Sequence, residues 1–159
     1  MTKEELIELL KDYKQNKAKL NIKLKELRTA RMKLKECDDI EIKITSTYGE
    51  NQDIHSKNKI SDKVLSKIEE NDTKRSELRT EIEELEKEVK GLRNKVEAVE
   101  DRLIGLKYKE REILTAYYID GRTAQNIGDK LYFQMYNRTC SARYIQKIID
   151  KATKRMINI

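Results

Sequence analysis

"YIDGRTAQNIGDKL", Tyr118 to Leu131, interrupts a chain that otherwise reads as long polar helices. Asp120-Gly121 ends one helix, because glycine takes the left-handed conformation of a helix terminus without a Cβ penalty. Thr123 is a good N-cap for the next helix. Ala124, Ile127 and Leu131 then fall on one face, and Gly128 is small where a following helix must cross closely. Upstream, "KEREILTAYYIDG" sets Ile113, Leu114 and Tyr117 on a helix. Downstream, Ser141 caps "SARYIQKIIDKATKRM", with Ile145, Ile148, Ile149, Ala152 and Met156 as its inner face. Three short helices of this kind can bury one small core.

The chain around this segment has 159 residues, 40% charged and 37% apolar, with no Pro and no Trp. That composition suits long, surface-rich helices, and the fold class it predicts is all-α. No apolar run is long enough to cross a bilayer, and "MTKEELIELL" lacks the basic-then-apolar order of a signal peptide. Cys37 and Cys140 stand far apart with no metal or redox spacing, so a reduced intracellular protein is expected. His55 is the one histidine and reads as a solvated loop residue. No Gly-rich phosphate loop, metal cluster or Ser/His/Asp set is visible, so neither an enzyme nor a cofactor is expected.

Charge divides the chain. Residues 107–159 hold 11 Lys/Arg against 5 Asp/Glu, whereas residues 1–106 hold 24 of each sign. The whole net charge of +6 therefore sits on the last third, as a neutral shaft (1–106) carrying a basic head (107–159).

Within the shaft, Thr2 and Glu5 form a capping box for a first helix over about 3–36. Its apolar seam is Leu6, Leu10, Tyr13, Leu20, Leu24, Leu27 and Leu34, with Lys17 and Arg31 in the gaps. A second helix over about 62–106, capped by Ser61, carries an unbroken heptad from Val64 through Ile68, Asn71, Arg75 and Leu78 to Leu103 and Leu106. Residues 37–61 read as a turn-rich loop, in which Ile40, Ile42 and Ile44 alternate as in a short strand. The lysines of 14–25 complement the glutamates of 77–88. This favours antiparallel pairing, with Leu34 near Ile68, Leu20 near Ile82 and Arg31 meeting Asn71. The sequence leaves open whether the partner helix belongs to the same chain, so a homo-oligomer through the coiled coil stands beside an intramolecular hairpin.

"LTAYYIDGRTAQNIGDKL" resembles the start of the sigma-factor region 4 helix-turn-helix, and "SARYIQKIIDKATKRM" is similar to its recognition helix. The order of shaft helix, loop, heptad helix and head resembles bacteriophage-encoded transcription regulators of the RinA/ArpU type. That resemblance implies double-stranded DNA as partner, control of phage or prophage late genes, contact with RNA polymerase, and the cytoplasm of a bacterial host cell. By the same resemblance, Ala142, Arg143, Tyr144, Gln146 and Lys147 occupy positions that face DNA. Arg122, Thr123 and Ser141 at the helix starts, and Arg138 in the connection, complete the expected contacts, with Lys151 and Lys154 on phosphates. Two departures stand out. Asn126 replaces the family's glutamate after the Thr123 cap, and "YFQMYNRTCS" (Tyr132–Ser141) is longer than the expected tight turn, so it either extends the second helix or loops beside the DNA. The rival reading is a structural coiled-coil adaptor whose basic head binds an acidic protein.

Overall fold

The computed structural model describes residues 1–49 and 62–158, and the side chains of 1–39 and 65–158. The chain is all-α; among the described residues there is no strand. Helix α1 spans Lys3–Gly49 and α2 spans Asp62–Ile104. Two compact units result, one of Met1–Leu20 with Gly91–Ile159, the other of Asn21–Lys90.

α1 starts where its capping box predicts. The Thr2 amide donates to Glu5 Oε2 at 2.8 Å, and the Glu5 amide donates to Thr2 Oγ1 at 3.2 Å. It does not stop near residue 36. The expected loop over 37–49 is helix, and Ile40, Ile42 and Ile44 lie within it rather than in a strand. Alternation over five residues loses to helix propagation when no Pro or Gly intervenes before Gly49. The expected positions of His55 and the Ser61 cap lie outside the described residues.

The later end of α1 also changes the register. In Asn21–Lys90 the helices run antiparallel within one chain, with Lys23 on Glu88 at 3.0 Å and Arg75 on Asp38 at 2.8 Å. Arg31 meets Glu86 at 2.6 Å, not Asn71, whose amide instead donates to the Cys37 carbonyl at 3.1 Å. Residues equidistant from the reversal face each other in a helical hairpin. Counted equally back from Gly49 and on from Asp62, Lys23 comes opposite Glu88. A helix ending near 36 moves the reversal too early and slides every pair. The α2 heptad itself holds, since Ile68, Asn71, Arg75, Leu78, Ile82, Leu85 and Val89 are all buried or half-buried. On α1 the seam shifts by one residue at Ala30, which is buried while Arg31 is exposed.

In the other unit, Leu6 and Leu10 share a core with Val99 and Leu103 of α2, Leu106 just after it, Leu114, Ala152 and Met156. The boundary expected at residue 106 therefore falls inside a packed unit. Lys17, one of the two seam gaps, donates to Glu100 at 2.8 Å and to the Tyr13 hydroxyl at 2.9 Å, while that hydroxyl donates to Glu100 at 2.5 Å. The hydrogen bond from Lys17, then that from Tyr13, holds the Glu100 carboxyl below its usual range. Lys14 reaches Asp120 at 2.7 Å, fixing α1 to the turn that ends the first head helix.

Candidate nucleic-acid interface

α3 (Tyr108–Leu114) continues through a π-helical turn, Thr115–Ile119. Gly121 follows with φ +69°, the left-handed terminus that Asp120-Gly121 predicts, and the Arg122 amide closes onto the Ala116 carbonyl at 2.9 Å. α4 (Ala124–Asn126) is capped by Thr123, whose Oγ1 accepts from the Asn126 amide at 3.2 Å. It runs through a second π-helical turn, Ile127–Leu131, into α5 (Tyr132–Tyr136). The start of the Tyr132–Ser141 connection thus extends the second helix. Asn137, with φ 53°, ends it in the left-handed region that asparagine tolerates. α6 (Ala142–Ile157) then begins at Ser141, whose Oγ accepts from the Tyr144 amide at 3.3 Å.

Gly128 sits at the tightest point. A Cβ there would lie 2.3 Å from the Cys140 carbonyl oxygen and 3.6 Å from the Ile145 side chain. The Cys140 amide donates back to the Gly128 carbonyl at 3.3 Å. The close approach is thus to the strap just before the third helix more than to the helix itself. Beneath it, Ile113, Ala116, Ile127, Tyr132, Ile145 and Ile149 form a core.

That core fixes which face of α6 looks outward. Ile145, Ile149, Ala152 and Met156 are fully buried, and Thr153 among them donates its hydroxyl to the Ile149 carbonyl at 2.8 Å. Arg143, Lys147, Lys151 and Lys154 are exposed, and their spacing of four, four and three sets them in one row along the helix. At the far end Arg155 is committed elsewhere. It binds both oxygens of the buried Glu110, at 2.9 and 2.6 Å, and so ties α6 to α3.

The other expected contacts divide. Arg122, Thr123, Arg138 and Ser141 are exposed, with Thr123 and Ser141 acting as caps. Ala142 is half-buried. Gln146 is also half-buried, and its amide reaches Asp150 Oδ1 at 3.5 Å, a weak contact. Tyr144 is exposed but engaged, because its hydroxyl accepts from Lys109 Nζ at 3.0 Å.

Lys109 is the residue that sequence reasoning missed. Its ammonium also donates to the Tyr132 hydroxyl at 3.2 Å, and lies 4.8, 5.3 and 4.9 Å from the ring centroids of Tyr132, Tyr136 and Tyr144. Each such cation–π contact is worth about 0.5–1 kcal/mol at an exposed site. Burial pulls the ammonium's pKa down, but hydrogen bonds to Tyr144 and Tyr132 outweigh it and hold the pKa above its ordinary value. The visible signal was the four-residue spacing of Tyr132 and Tyr136, which puts both rings on one helix face.

No family model, curated protein or solved structure matches the chain. Among the described residues no helix is long and apolar enough to cross a membrane.

Proposed function

We propose that this chain is a sequence-specific double-stranded DNA-binding transcription regulator, with α6 as its reading helix. The observation that carries the reading is the exposed row Arg143–Lys147–Lys151–Lys154 on a capped helix whose other side carries the fully buried Ile145, Ile149, Ala152 and Met156. A helix of this kind, held by two shorter ones, suits the major groove, and its first turns come nearest to base edges. Arg143 is the main base-reading residue and Lys147 supports it. Gln146, partly drawn toward Asp150, is secondary. Lys151 and Lys154 neutralise phosphates further along. Control of phage or prophage late genes and contact with RNA polymerase are extensions of this proposal by resemblance.

The test is selection of a binding site from a random duplex library, followed by anisotropy titration at several salt concentrations. Arg143→Ala is expected to cost about 1–3 kcal/mol on the selected site and much less on scrambled DNA. Lys151→Ala is expected to weaken both alike and to lower the salt slope by about one. If the wild type selects no sequence and binds no duplex even at low salt, the regulator reading fails, and a basic adaptor head for an acidic protein takes its place.

A further inference from the structure

Lys109 combines features that a purely structural lysine does not need. Its ammonium is enclosed by three tyrosines drawn from α5 and α6, while Lys109 itself belongs to α3. Among the described residues no carboxylate pairs with it, although Lys14, Lys17, Lys23 and Lys74 each have one. An ammonium has three donors. Two go to the hydroxyls of Tyr132 and Tyr144, and among the described residues the third has no acceptor. The Tyr144 hydroxyl, which accepts from Lys109, keeps its own proton to give, and Tyr144 remains 42% exposed. Tyr144 stands one residue from Arg143, in the first turn of α6.

We propose that Lys109 and the Tyr144 hydroxyl form a preorganised subsite for one phosphodiester group of duplex DNA, flanking the reading end of α6. This rests on the DNA-binding reading above. One phosphate oxygen accepts the third Lys109 proton while another accepts from the Tyr144 hydroxyl. The rings supply what a surface lysine lacks. They hold the side chain in one place before the anion arrives, so little rotamer freedom remains to be lost on binding. Tyr144 then serves DNA through its hydroxyl at the backbone, not through base edges.

The full chain is titrated against a labelled random-sequence duplex at several salt concentrations, as wild type, Lys109→Met and Tyr144→Phe. Lys109→Met is expected to weaken binding about tenfold and to lower the slope of log affinity against log salt by about one. Tyr144→Phe keeps the ring and its contact with Lys109, so it carries the test if Lys109→Met melts early. It is expected to weaken binding with the slope retained. Weaker binding by Lys109→Met in a folded protein with an unchanged slope would make Lys109 a mere brace for α6 and overturn the subsite. So would wild-type affinity in Tyr144→Phe. If the wild type itself binds no duplex, the failure is that of the DNA reading and is seen before any variant is compared.

Discussion

Asn21–Lys90 and the remainder of the chain are built from the same two long helices, yet their described residues bury apolar surface on different scales. Of twenty buried hydrophobic side chains among the described residues, sixteen belong to the unit containing the head. Among the described residues of Asn21–Lys90 the buried hydrophobics are Leu27, Ala30, Leu85 and Val89. The rest of that seam is half-buried and laced with cross-helix pairs such as Lys23–Glu88 and Arg31–Glu86. Exposed ion pairs are each worth about 0–1 kcal/mol, so this hairpin depends on the sum of many small terms. The other unit concentrates its stability in side chains with no exposure at all, including Leu6, Leu10, Ile113, Ile145 and Ile149. A heptad therefore specifies pairing without specifying a strong core, and strength comes where other helices close over its seam.

The largest expected effect is a direct contrast between the two seams. Leu10 is fully buried and Leu34 half-buried, though both belong to the apolar seam of α1. Leu10→Ala is expected to cost about 2–5 kcal/mol and Leu34→Ala about 1 kcal/mol. Seven of the eight tyrosines lie in the head-containing unit and there is no Trp, so tyrosine fluorescence follows that unit while far-UV circular dichroism follows both. Leu10→Ala should shift the fluorescence transition; equal losses for the two variants would erase the contrast.

A smaller effect, about 1–3 kcal/mol, is expected at Gly128. Any side chain there meets the Cys140 carbonyl, a backbone atom that cannot rotate away. Gly128→Leu should lower the fluorescence transition while leaving the helical signal of Asn21–Lys90 in place. An unchanged melt would show that the strap before α6 moves freely and that the crossing is not tight.

These contrasts also explain what the sequence made legible. Helix caps are local, and Thr2, Thr123 and Ser141 all sit where their side chains accept the third amide along. Gly121 and Gly128 were equally readable, because a left-handed φ and a close approach each demand glycine. The end of α1 was not, since the Ile40–Ile44 alternation mimics a strand and no breaker precedes Gly49. The hairpin register depends on that end and was lost with it. In the head, the row on α6 follows from helical spacing. The Lys109 cluster joins three helices over 23 and 35 residues of separation, which no local pattern reveals.

The smallest expected effect tests the register of Asn21–Lys90. Arg31 meets Glu86 at 2.6 Å with both side chains about half exposed, so the pair is worth only tenths of a kcal/mol. Glu86→Lys replaces that attraction with repulsion and should cost about 0.5–1 kcal/mol. Adding Arg31→Glu restores opposite charges and should recover most of the loss. The double-mutant cycle then gives a coupling of a few tenths of a kcal/mol or more, which fades at high salt as the exposed charges are screened. In the alternative register Arg31 lies beside Asn71, far along α2 from Glu86, and the two substitutions would add without coupling. Circular dichroism melts of the four proteins at low and high salt separate the cases, and strict additivity at low salt would break the register that the ends of α1 and α2 impose.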